Sequence, residues 1–225
     1  HISIGKHFRA KGEVEKAILI HQNLMAHPEL SDIDSEAVIY ELAKDYKAAG
    51  LFDRAESLLD QLAGSKQFGF KSQKLLLDIY ENEKDWQNAI DKGKELELKK
   101  HPDIALRVAQ YCCEIAEEKL SENLVREATS CYKQALHIHK MCIRALLGLA
   151  QLDVHQQLYA SAINYLKLLA EHSPENIVII LPLLLECTKA TNSFDQHQAY
   201  LSRLLSETGQ LPIMLAIVES MVVEG

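Results

Sequence analysis

The chain is 225 residues long, 48% apolar, and carries a formal net charge of −8. Nine glycines and five prolines are too few for a turn-rich all-β protein. The acidic balance gives no overall attraction to nucleic acid or to an anionic membrane. No apolar run reaches the roughly 18–20 residues of a spanning helix; the nearest, residues 177–185, is short and contains Pro182. No signal-peptide pattern is present. Five cysteines, an odd number in a chain too large to need staples, read as buried free thiols of a reducing compartment.

Taken in order, the predicted elements are amphipathic helices in pairs. Residues 2–24 place Ile4, Gly5 and Phe8 on one helix, turn at Gly12, and set Val14, Ala17, His21 and Leu24 on the next. Gly5 reads as a point of close helix approach, since glycine costs a helix about 1 kcal/mol. This first helix lacks its opening residues and is expected to fray. The linker MAHPELSDID follows, with Asp34 or Ser35 as the next N-cap. Residues 37–62, AVIYELAKDYKAAGLFDRAESLLDQL, carry Leu42, Ala43 and Tyr46 before Gly50, where a turn needs φ > 0. Phe52, Ala55, Leu59 and Leu62 then recur at helical spacing.

In the third pair, about residues 71–96, Leu76, Leu77 and Tyr80 precede Asp85, and Trp86, Ala89, Ile90 and Leu96 follow. Trp86 is expected to be largely buried, its N–H paired. The fourth pair opens with a long helix, about 103–120, with Ile115 and Ala116 in its large and small positions. Lys119 stands where an aromatic belongs, so Tyr111 or Leu120 is expected to take over that packing. Val125, Ala128, Tyr132 and Ala135 lie on its second helix. The fifth pair, 142–169, carries Leu149, Ala150, Tyr159, Ala162, Leu166 and Leu169, with Pro174 at its exit. Residues 177–189 and 195–206 read as a degenerate sixth pair, with Pro182 in the first turn of its helix. Residues 211–223 read as one more helix without a partner.

The small residues Ala17, Ala55, Ala89, Ala128 and Ala162 recur at spacings of 38, 34, 39 and 34. The pattern LA..Y…GLF..A…L..L resembles the tetratricopeptide signature, whose period is 34 residues. One such hairpin cannot bury its own apolar face, so it implies stacked neighbours. The expected fold is therefore all-α: a tetratricopeptide solenoid, a right-handed superhelix of antiparallel helix pairs. Five repeats fill 1–174, the first truncated, and 175–225 hold the degenerate sixth repeat and a further helix of the same array. The chain opens and stops inside this pattern, which suggests a segment cut from a longer protein.

Catalytic and metal patterns are absent: there is no Gly-rich phosphate loop, HExxH, CxxC or GxSxG. No catalytic, cofactor-binding or metal-ligating residue is expected. His137 and His139, two apart on a helix, diverge. Cys112 and Cys113 read either as a redox pair or as packing; adjacent helical residues point apart, which favours packing. In arrays of this kind the first helix of each pair, helix A, lines the inner groove. Its non-packing positions are Lys6 and Arg9; Tyr40, Lys44 and Lys47; Lys74, Asp78 and Glu81; Cys113 and Glu117; Arg144, Leu147 and Gln151. Of these, Arg9, Tyr40, Lys44, Lys47, Lys74, Asp78, Glu81 and Arg144 are the candidate partner-binding residues. The first half of the groove looks basic on an acidic chain. Ordinary solvated lysines explain that, and so does a groove for an acidic or carboxylate-bearing peptide. The Lys/Asn arrangement of carboxylate-clamp cochaperones is not reproduced.

The runs FRAKGEVEKAILIHQNLM (8–25) and LAKDYKAAGLFDRAESLLDQL (42–62) closely resemble the second and third repeats of the lipopolysaccharide assembly protein B family. DWQNAIDKGKEL (85–96) and YCCEIA (111–116) are also similar to that family, and the C-terminal third only in helix pattern. The resemblance implies a regulator at the cytoplasmic face of the Gram-negative inner membrane, with a membrane helix, a tetratricopeptide array and a rubredoxin-like zinc domain. Its implied partners are the deacetylase that commits precursors to lipid A and a membrane-bound AAA+ protease that degrades it, and its implied effect is to restrain lipopolysaccharide synthesis. The membrane helix and the zinc-binding CxxC pairs have no counterpart in these residues. No cofactor is therefore expected in this chain, and the membrane is reached only through segments it lacks. A homodimer is left open. The alternative is a generic peptide-binding or cochaperone-like scaffold.

Overall fold

The computed structural model describes residues 1–27, 31–96, 100–209 and 213–215, and every regular element among them is helical. Packing divides the chain into two compact units, residues 1–104 and 105–225. The first unit contains α1 (Ile2–Ala10), α2 (Val14–Met25), α3 (Asp32–Ala48), α4 (Phe52–Gln61), α5 (Gly69–Glu83) and α6 (Trp86–Glu95). The boundary falls in the first turn of α7 (Pro102–Ser121). The second unit continues with α8 (Val125–Ile138), α9 (Ile143–His155) and α10 (Tyr159–His172). A 3-10 turn (Pro174–Asn176), α11 (Ile177–Thr191) and α12 (Phe194–Thr208) follow. Among the described residues no helix is long and apolar enough to cross a membrane.

One turn joins every pair. Gly12, Gly50, Lys84, Asn123, Gln157 and Asn192 each adopt positive φ, between 49° and 80°. The amide after each donates back to a carbonyl five residues earlier, from Glu13 to Phe8 through Ser193 to Thr188, over 2.7–3.2 Å. This closes the last turn of helix A, whose carbonyls would otherwise lack partners. The first five turn residues repeat at 38, 34, 39 and 34, the spacings of the alanines, and Asn192 follows 35 later. The same turn also joins α11 to α12, where the side-chain pattern is weak. Ala17, Ala55, Ala89, Ala128 and Ala162 are all fully buried, as the helix-crossing register requires.

Three local expectations need correction, and one alternative is resolved. The N-cap of α3 is Ser31, whose hydroxyl oxygen accepts from the Asp34 amide at 3.2 Å, so the helix starts earlier than Asp34 or Ser35 would allow. Trp86, the first residue of α6, is only partly buried. Of Tyr111 and Leu120, it is Tyr111 that is buried in α7, Leu120 being only partly so; the Tyr111 hydroxyl accepts from Arg107 Nε at 3.1 Å. Pro182 lies inside α11, not in its first turn. That helix begins at Ile177 because Ile177, Ile180, Leu181 and Leu184 fill the core of the second unit, at the cost of one i→i−4 bond. The helix expected over 211–223 lies outside the described residues except for 213–215, where Ile213 is buried in the same core.

Candidate functional site: the helix-A face

Helix-A positions in the first unit come from α1, α3 and α5. The α1 and α3 residues meet in a buried polar cluster. Arg9 reaches across from α1 and forks onto two carboxylates of α3: Nη2 to Glu41 and Nη1 to Asp45, each 2.5 Å away. Nη1 also donates to the Glu41 carbonyl at 3.1 Å. Asp45 is fully buried, and its other oxygen is held by His21 of α2. The second nitrogen of His21 lies 3.2 Å from the Ile2 carbonyl. Gly5 makes room for this ring: a Cβ there would sit 2.4 Å from the imidazole. The close approach expected at Gly5 is therefore an approach to His21.

Lys6 and Lys44 add to Glu41 at 3.2 and 3.4 Å. Burial pushes the Glu41 carboxyl up, but hydrogen bonds from Arg9 and Lys6 and the charges of Lys44 and Arg9 outweigh it and hold the group below its ordinary range. A cation so enclosed is a structural tie. Removing either partner would leave an unpaired charge in low dielectric.

Farther along the same face the pairs are looser. Lys47 of α3 meets Asp78 of α5 at 3.5 Å, with side chains 25% and 37% exposed. Lys74 of α5 meets Asp103 at 3.4 Å, with side chains 46% and 63% exposed. Such solvated pairs contribute about 0–1 kcal/mol. Between the enclosed cluster and these pairs stands Tyr40, its ring 5.2 Å from Phe68 and 5.6 Å from the Lys44 ammonium. Burial and the Glu41 charge push its hydroxyl pKa up. Glu81 is exposed on the same helix as Lys74 and Asp78.

In the second unit Arg144, on α9, forks onto α7: Nη1 to Glu114 at 2.6 Å and Nη2 to Glu117 at 2.7 Å. Hydrogen bonding to Glu117, then to Glu114, raises its pKa further against the cost of burial. Gln151, His155 and Gln157 with Glu186 and Leu183 of α11 line a cleft of about 400 Å³.

The structure therefore gathers the eight candidate residues by unit. Arg9, Tyr40, Lys44, Lys47, Lys74, Asp78 and Glu81 lie in the first, and Arg144 in the second. Its correction concerns charge. The cations that looked like a basic groove each face carboxylates, several of them on the neighbouring helix A. Glu41, Asp45, Asp103 and Glu114 were not singled out from sequence, because their partners lie about 30 residues away. Among the described residues no three His, Cys, Asp or Glu side chains are placed to hold a metal ion.

Helix pairs closed by one left-handed turn, with a buried alanine at the crossing in the first five, define a tetratricopeptide array. Over 202 residues the chain is 31% identical to lipopolysaccharide assembly protein B of Haemophilus influenzae, a match covering 90% of this chain and 51% of that protein. It is 30% identical over 207 residues to the protein of the same name from Escherichia coli K12, covering 92% and 53%. The resemblance read from four short runs thus extends over nine-tenths of the chain, and the chain spans about half the length of the curated relatives it matches. No family model matches. Similar solved structures include MamA, with 19% identity, TM-score 0.49 and coverage of 78% and 91%. A tetratricopeptide repeat protein from Parabacteroides merdae has 13% identity, TM-score 0.48 and coverage of 99% and 85%.

Proposed function

We propose that this chain is the docking part of a non-enzymatic adaptor that restrains lipopolysaccharide synthesis at the inner membrane. It brings the deacetylase committing precursors to lipid A to a membrane-bound AAA+ protease. Docking both proteins turns proteolysis into a local event, since effective concentration replaces free encounter. The observation that carries this reading is the similarity to lipopolysaccharide assembly protein B along nine-tenths of the chain. The test is a pull-down of each protein by the 225-residue chain, with circular dichroism confirming that the chain is folded. Retention of either protein is the expected result, and retention of neither rejects the reading.

The looseness of Lys47–Asp78 and Lys74–Asp103 favours a second reading, an exchange surface for extended acidic segments. It requires salt-sensitive binding of an acidic peptide. Reversing the charge of Lys44, Lys47 and Lys74 should abolish that binding. Partner binding that survives the reversal removes the second reading and leaves the first.

A further inference from the structure

Cys113 lies on α7 and Cys142 is the N-cap residue of α9, 29 positions later. Both are buried, and their sulfurs stand 3.8 Å apart in hydrogen-bond contact. Adjacent Cys112 is buried too, but it is Cys113 that meets a second thiol. We propose that Cys113 and Cys142 form a peroxide-responsive dithiol that closes to an intramolecular disulfide between α7 and the start of α9.

The surroundings set the roles. The contact with Cys113 lowers the thiol pKa of Cys142. The amides of Arg144 and Ala145, at the positive end of α9, and the Arg144 guanidinium add to this against burial. Gln110 Nε2 also points at the Cys142 sulfur from 3.8 Å. The same contact, with burial, raises Cys113. Cys142 is thus the attacking sulfur and Cys113 the resolving one. Burial selects a small uncharged oxidant, and hydrogen peroxide fits.

The Cys142 thiolate attacks one peroxide oxygen and the O–O bond breaks. Hydroxide leaves and takes a proton to become water, and Cys142 is left as a sulfenic acid. The Cys113 sulfur then displaces the hydroxyl from the Cys142 sulfur. The S–S bond forms, the S–O bond breaks, and the Cys113 proton leaves with hydroxide as a second water. Two thiols are oxidised by two electrons and one peroxide is reduced to two waters. The sulfurs must close from 3.8 Å to about 2 Å. That draws in the first turn of α9, the turn that aims Arg144 at Glu114 and Glu117.

The experiment treats the folded 225-residue chain with hydrogen peroxide, counts thiols and maps peptides by mass. The expected result is loss of two of the five thiols, no retained oxygen, and a Cys113–Cys142 peptide that dithiothreitol releases. Cys113→Ala should leave oxygen on Cys142, because the resolving thiol is gone. The proposal fails if the parent retains oxygen on Cys142 or cross-links through Cys112 or Cys131. It also fails if all five thiols survive peroxide that oxidises free glutathione. The parent measurements decide the matter even should the variant not fold.

Discussion

Asp45→Asn tests whether Arg9 is a structural tie or a partner-binding cation. Asp45 has no solvent exposure and holds two side chains, Arg9 and His21. Breaking a buried pair by removing one charge costs about 3–5 kcal/mol. Here the loss is smaller, because Arg9 keeps the Glu41 carboxylate and carbonyl and is 16% exposed. Asparagine also retains one acceptor oxygen, so the expected cost is about 2–3 kcal/mol, the range of a lost charge-assisted hydrogen bond with some compensation. Urea unfolding followed by helical circular dichroism measures it. The His21→Ala, Asp45→Asn cycle should return a coupling of roughly 1–3 kcal/mol. An Asp45→Asn chain within about 0.5 kcal/mol of the parent, as for an ordinary surface change, refutes the enclosed cluster and returns Arg9 to the groove.

Gly5→Ala should destabilise the parent, since its Cβ would lie 2.4 Å from the His21 ring. In a His21→Ala background the same change should gain up to about 1 kcal/mol of helix propensity; equal effects in both backgrounds would separate Gly5 from His21. Lys84→Gly should stabilise by up to about 1 kcal/mol, because Lys84 holds φ 57° at a helix end that glycine adopts freely; no rise in the urea midpoint counts against that strain. The folded pKa of Glu41 is lowered, so its ion pairs contribute fully above about pH 4.3 and are lost as pH falls through the folded value. Glu41→Gln should therefore narrow the difference between urea midpoints at pH 7 and pH 3, and an unchanged difference would acquit Glu41.

The fold was readable because the first five helix crossings each take a small side chain, and their five alanines keep that register through insertions of four and five residues. Turns were readable only where glycine marks them. At Lys84, Asn123, Gln157 and Asn192 the same left-handed backbone is carried by ordinary side chains, held by the hydrogen bond from the following amide to the carbonyl five residues earlier. Ser31 was passed over because its linker offers several capping residues and only geometry chooses among them. The candidate site was half visible. Helical spacing placed the cations on one face, but their charge state depends on which carboxylates the next helix A brings alongside. Gly5 signalled close approach without naming His21. Cys112–Cys113 drew attention as neighbours, whereas the chemistry joins Cys113 to a residue 29 positions away.

The charge pattern of the helix-A face follows from one constraint. Like charges facing one another on neighbouring helices would push those helices apart. Pairing Arg9 with Glu41 and Asp45, Lys47 with Asp78, Lys74 with Asp103, and Arg144 with Glu114 removes the repulsion. The enclosed pairs are costly to break, whereas the solvated ones contribute about 0–1 kcal/mol each. On the proposed reading, a protein that docks by charge on the first unit should gain at Lys47 and Lys74 and not at Arg9. Raising the salt concentration should then weaken its binding, while leaving the Arg9 cluster, shielded from solvent ions, in place.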